Sequence, residues 1–90
     1  MQPFETGSLV RSKAGHDKDD IFVIIGQQGE YVWIADGKRR TVEKPKRKKK
    51  KHLYPICHPE AVGEGCMRLL EADSFRNEDI KYAIKLYRRS

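Results

Sequence analysis

The segment Ile21–Gly37 reads IFVIIGQQGEYVWIADG. It contains two five-residue apolar runs, Ile21–Ile25 and Tyr31–Ala35, separated by the glycine-bounded stretch Gly26–Gly29. Both runs are short and rich in β-branched and aromatic side chains, which suit a pleated surface and lose rotamer freedom in a helix. The spacing predicts two strands joined by a turn. Asp36-Gly37 comes next, and that pair suits a two-residue type I′ turn, whose central positions both need positive φ. A returning strand is therefore expected over Lys38–Glu43 (KRRTVE), stopped by Pro45, which cannot donate to a ladder.

Upstream, Gly7–Ser12 (GSLVRS) predicts a first strand, and Lys13–Asp20 (KAGHDKDD) a loop without bulky apolar residues. Met1–Thr6 is expected to be a flexible tail. Downstream, His52–Ile56 (HLYPI) is long enough for a short closing strand. Short strands recurring roughly every ten residues predict a mainly β fold, a small antiparallel barrel over residues 7–58.

The period changes in the last third of the chain, where a helical segment over 59–90 is expected to pack on the barrel. Pro59–Ala72 can hold a helix weakened by Gly63 and Gly65. Asn77–Arg89 reads more clearly as one. Asn77 suits an N-cap, Glu78 and Asp79 stand in the first turn, and Arg88 and Arg89 in the last, as the helix dipole favours. Ile80, Ala83, Ile84 and Tyr87 follow the i, i+3, i+4, i+7 pattern of one apolar face. The two apolar runs carry more apolar side chains than one barrel face can use, so the helix is expected to cover the outer face.

Ninety residues allow one domain with a modest core. At 38% hydrophobic and 36% charged, the chain is polar but is not composed like a disordered one. The net charge of +6 is unevenly placed. Lys38–Lys51 contains ten basic residues against the single acid Glu43, while the rest of the chain has nine basic and twelve acidic residues. A basic stripe on a mildly acidic body is the footprint of a directed polyanion contact. No run approaches the roughly 18–20 apolar residues needed to span a membrane, and Met1–Val10 lacks the pattern of a secretory signal. An intracellular, cytoplasmic protein is expected, with Cys57 and Cys66 as free thiols.

Lys44–His52 (KPKRKKKKH) is expected to be a self-repelling basic loop that binds phosphate through counterion release, with Lys46–Lys51 unordered without a partner. Its candidate ligands are Lys44, Lys46, Arg47, Lys48, Lys49, Lys50, Lys51 and His52. The bland reading of the same run is a solvated loop, and a third is a nuclear import signal. Arg39 and Arg40 flank the expected hairpin turn and point to opposite faces, so at most one should join the basic run. Lys13, Gly15, His16 and Lys18 form a second candidate surface, where Gly15 permits close approach of a phosphate and Asp17, Asp19 and Asp20 oppose it. Trp33 is expected in the core. Tyr31 and Tyr54 are candidates for base stacking.

Cys57 and Cys66 are nine residues apart, with His52 and His58 nearby. That spacing lacks the two tight pairs of a structural zinc site, and no metal or other cofactor is expected. With no glycine-rich phosphate loop, nucleophile elbow or evident acid–base pair, a non-enzymatic role is expected.

The stretch Gly7–Gly26, GSLVRSKAGHDKDDIFVIIG, resembles the KOW motif, in which two strands flank a glycine-containing loop. Gly15 matches the motif glycine, and Val10, Phe22 and Ile24 fall on its apolar positions. The chain departs at Asp19, where many members have glycine. The continuation YVWIADGKRR…EKPKRKKKKHL is similar to KOW-containing large-subunit ribosomal proteins and their short bacterial relatives, so the resemblance covers Gly7–Leu53. It implies an SH3-like barrel that binds ribosomal RNA, or RNA in transcription and translation complexes; ribosomal proteins are possible partners, and a monomer is expected. It also implies an RNA contact through the first loop, at Lys13, Gly15, His16 and Lys18. Two rival readings are a protein-interaction module with an open groove at Tyr31, Trp33 and Tyr54, and a DNA- or transcription-associated factor that uses the same basic run.

Overall fold

The computed structural model describes residue 4, residues 6–57 and residues 76–89. In chain order the elements are strands β1 (Leu9–Ser12), β2 (Ile21–Gln28), β3 (Tyr31–Ala35) and β4 (Lys46–Lys49), a 3-10 turn (Lys50–His52), strand β5 (Leu53–Cys57) and helix α1 (Asn77–Arg89). The helix expected over Pro59–Ala72 lies outside the described residues, as do His58 and Cys66.

The strands form one antiparallel sheet in the order β4-β3-β2-β1-β5. β2 and β3 meet across the two-residue turn Gly29-Glu30, with Gln28 opposite Tyr31. β2 thus runs three residues beyond Ile25, and Gly26 lies inside the strand instead of starting the turn. A register shift between Ile24 and Gly26 leaves Ile25 as the extra residue of a bulge. Gly26 then faces Trp33, and a Cβ there would stand 3.2 Å from Trp33 Cδ1. The indole uses the space that the missing side chain leaves. Trp33, expected in the core, is half-buried. Pro55 sits in β5, at the end of the sheet, where a missing donor is tolerated.

The expected hairpin at Asp36-Gly37 does not form, and Lys38–Glu43 is not a strand. Asp36 Oδ1 accepts the amides of Lys38 and Arg40, each at 2.9 Å, which takes from a ladder the donors it would need. The amides of Asp36 and Gly37 both donate to Arg40 O, and the chain turns back on itself. The returning strand is displaced to Lys46–Lys49, beyond Pro45 and not before it. The segment 44–52, expected as a loop with Lys46–Lys51 unordered, is thus β4 and the 3-10 turn from Lys46 onward. A lysine strand is tolerable at this position because it lies at the end of the sheet, where charge also discourages pairing with another chain.

The sheet buries both faces. On one, Val10, Phe22, Ile24, Val32, Ile34 and Leu53 form a cluster. On the other, Leu9, Ile21, Val23 and Ala35 meet Ile80, Ala83 and Ile84 of α1, with Tyr87 partly buried beside them. The helix covers the second apolar face through its i, i+3, i+4, i+7 stripe. Full burial of one isoleucine contributes about 1.5–3 kcal/mol, which a helix of this length, marginal alone, needs.

The helix is held at its start by the 36–43 segment. Gly37 has φ +83°, and a Cβ on it would lie 2.6 Å from Asn77 O and 2.8 Å from Lys81 Cγ. Only glycine fits there. Asn77, expected as an N-cap, spends its side chain across this seam: Oδ1 accepts Val42 N at 2.9 Å and Nδ2 donates to Glu43 Oε2 at 3.1 Å. The amide of Asn77 holds the Glu43 carboxyl below its ordinary range.

Candidate nucleic-acid interface

Strand alternation divides the basic run. Val32 is opposite Lys48 and Ile34 is opposite Lys46, so these two lysines share the inner face with the apolar cluster. Their amines reach the β1–β2 loop. Lys46 Nζ lies 2.7 Å from Asp17 Oδ2, and Lys48 Nζ lies 2.8 Å from Asp17 Oδ1. Lys48 also donates to Ser12 Oγ and to Ala14 O, and Ser12 Oγ donates to Asp17 Oδ1 at 2.8 Å. The side chains of Asp17 and Lys48 are only 13% and 11% exposed. Burial alone would raise the Asp17 carboxyl. The hydrogen bonds from Lys46, Lys48 and Ser12 and the charge of Lys48 outweigh it and hold the group far below the usual carboxylate range. These two lysines tie β4 to the first loop, and Asp17 is neutralised within the protein.

Arg47 and Lys49 take the other face, opposite Trp33 and Tyr31. The Arg47 guanidinium lies 4.7 Å and the Lys49 amine 5.7 Å from the Tyr31 ring centre. The 3-10 turn then carries Lys50, Lys51 and His52 across to β1. Lys50 N donates to Glu30 O and Lys13 N donates to His52 O, so backbone bonds hold the turn on both sides. Glu30 lines a hollow of about 300 Å³ with Lys49, Lys50 and Lys51. Past the turn, Tyr54 is 47% exposed, with the Lys13 amine 4.6 Å and the Arg11 guanidinium 5.0 Å from its ring centre. The arrangement runs from Tyr31 with Arg47 and Lys49, through Lys50 and Lys51, to Tyr54 with Lys13 and Arg11.

The expected site residues, apart from Lys48, fall into three groups. Lys13, Arg47, Lys49, Lys50, Lys51, His52 and Tyr54 come together along this band. His16, Arg39 and Arg40 gather with Lys46 around a separate hollow of about 300 Å³. The third group lies in loops: Gly15 and Lys18 close a turn in the first loop through Lys18 N to Gly15 O, and Lys44 is exposed in the 36–45 loop with its amide on Thr41. The inward side chains of Lys46 and Lys48 separate them from the band, although they belong to the same run. Sequence reasoning misses Arg11. Its signal is its position on β1 directly opposite Tyr54, which appears only once β1 and β5 are paired.

Among the described residues, no three His, Cys, Asp or Glu side chains converge as a metal site would require. No described helix is long and apolar enough to cross a membrane. In comparison with known proteins, the chain matches no family model, and no curated protein matches it.

Proposed function

We propose that this protein is a non-enzymatic, cytoplasmic RNA-binding module of the KOW type, built on an SH3-like barrel and associated with ribosomal RNA or the translation machinery. The observation that carries the reading is the division of the basic strand. Lys46 and Lys48 are committed to Asp17, while Arg47, Lys49, Lys50 and Lys51 stay on the outer side between two tyrosines, Arg47 and Lys49 at the Tyr31 ring and two further cations, Arg11 and Lys13, at the Tyr54 ring. Cations beside aromatic rings suit a phosphate backbone with bases stacked nearby. The strand order, the 3-10 turn between β4 and β5, and bulges that let the sheet curl all fit an SH3-like barrel. The first loop fits the KOW resemblance: Asp19, where members often carry glycine, has φ +71°, a conformation glycine takes freely and aspartate tolerates. The protein-interaction reading is less favoured, since cations lie over the rings of both Tyr31 and Tyr54.

The test is binding of a structured ribosomal RNA fragment and a matched DNA duplex over a salt series. The variant is Arg47→Gln with Lys49→Gln, Lys50→Gln and Lys51→Gln, which spares Lys46 and Lys48 and so keeps the Asp17 contacts. RNA is expected to bind more tightly than DNA. The variant is expected to bind more weakly, and its salt slope to flatten by about 0.7–0.9 for each phosphate that is no longer neutralised. Equal binding by variant and parent, preference for DNA, or no binding at low salt would overturn the proposal.

A further inference from the structure

A cleft lies away from the basic strand, on the helix side of the sheet. It has a volume of about 550 Å³ and runs between the 36–39 segment and α1. Lys38 and Arg39 line one side, Lys81, Lys85 and Arg88 the other, and Ile21 and Ile84 contribute apolar surface between them. Lys81, Lys85 and Arg88 are at i, i+4 and i+7, so they share one flank of the helix. The absence of a side chain at Gly37 lets the Lys81 stem lie close against the loop.

This cleft adjoins the hollow that contains His16, Arg40 and Lys46, because Asp20, Asp36 and Arg39 line both. Together they form a furrow from the first loop, past Arg39, onto the helix. Its acids are largely engaged within the protein. Asp17 is bound by Lys46 and Lys48, and Asp36 Oδ1 accepts two backbone amides. Lys38, Arg39, Arg40, Lys81, Lys85 and Arg88 give the furrow six cations, against the carboxylates of Asp20 and Asp36.

We propose that the furrow binds a single-stranded segment of RNA, with phosphates on Lys81, Lys85 and Arg88 and a base lodged against Ile21 and Ile84. The inference rests on the RNA-binding reading and adds a second contact to it. Three features favour a nucleotide strand as the occupant. The cations are spaced along a track and not focused on one point. The cleft has the volume of a small-ligand site with an apolar floor, which a planar base can use. Arg39 stands where the two hollows meet, and a guanidinium can both clamp phosphate and stack on a base.

The experiment compares an RNA hairpin with the same hairpin bearing a single-stranded extension. The proteins are the parent, a Lys81→Gln/Lys85→Gln/Arg88→Gln variant and an Arg39→Gln variant, all checked for unchanged melting. Glutamine keeps the helix propensity close to that of lysine and arginine. The extension is expected to tighten binding by the parent by roughly tenfold, and both variants are expected to forgo most of that gain while holding the blunt hairpin as before. The inference is overturned if the extension adds nothing to parent binding, or if the helix variant keeps the gain. It is also overturned if a polyglutamate peptide displaces the extension as well as RNA of equal charge does, since the furrow would then suit an acidic protein segment. Binding of the blunt hairpin that depends on Arg47 and Lys49–Lys51 supports the main reading whatever the furrow does. Failure of the parent to bind either RNA sinks both.

Discussion

Replacing Asp17 by asparagine tests whether the first loop and β4 are held together by charge. The substitution keeps the shape and one acceptor oxygen but removes the anion facing Lys46 and Lys48. Breaking a fully buried ion pair costs about 3–5 kcal/mol, because a charge is left without its partner. Two features reduce that here. The Lys46 side chain is 28% exposed and can take up water, and Lys48 retains Ser12 Oγ and Ala14 O. A loss of about 2–3 kcal/mol is expected, which for a domain of this size lowers the melting temperature by roughly 8–24 °C. Thermal unfolding followed by circular dichroism at neutral pH measures it. A double-mutant cycle with Lys48→Met isolates the pair, with an expected coupling of about 1–2 kcal/mol. A fall of less than about 3 °C, or strictly additive single substitutions, would show that the ion pairs are surface decoration of the kind that contributes almost nothing.

The same carboxyl sets the acid response. Its folded-state pKa is depressed below the ordinary value of 3.8, so its stabilisation is fully present above that value and is lost as pH falls beneath it towards the folded-state pKa. Acid titration of the melting temperature should therefore decline below about pH 5 in the parent and less steeply in Asp17→Asn. Gly37→Ala puts a Cβ against Asn77 O in a left-handed backbone position, and a loss of at least about 2 kcal/mol is expected in denaturant melts. Gly26→Ala is a milder counterpart, because its Cβ meets only the movable indole edge of Trp33 without a positive φ; about 1 kcal/mol is expected in the same assay. Ile80→Ala opens a cavity between α1 and the sheet at a fully buried position and should cost about 2–5 kcal/mol, with hydrogen exchange rising first along the helix.

Sequence patterns are informative here where burial dictates residue type. The two apolar runs had to be strands, and their two-sided apolar content required a cover, which the Ile80, Ala83, Ile84 stripe supplies. The strand after Ala35 falls later than local rules place it because two of them compete. Asp-Gly favours a tight hairpin, but the Asp36 carboxylate bonds the amides of Lys38 and Arg40, and Gly37 serves helix packing instead. The competing contacts come from within the loop and from a helix distant in the chain, which a local reading weighs poorly. The candidate site was legible in composition and not in detail. Nothing in KRKKKK distinguishes a lysine paired with Asp17 from one facing solvent.

That degeneracy has a structural consequence. A run of like residues carries no register of its own: sliding β4 by one position would exchange the inner and outer sets, bringing Arg47 and Lys49 to Asp17 and turning Lys46 and Lys48 outward. The register must therefore be imposed from outside the run. Leu53 fixes it downstream by burying its side chain in the Phe22 cluster, with Lys13 N on His52 O just before it. Asp17 then holds the strand in that register, accepting both inward amines with its two carboxylate oxygens. The residue that looks, from sequence, like an obstacle to anion binding thus takes up the two cations that face inward. A basic run read only by its charge would count eight equivalent lysines and arginines between Lys38 and Lys49; the fold spends two of them on tying β4 to the first loop, sets Arg47 and Lys49 on the opposite face by strand alternation, and leaves the other four in the loop before β4.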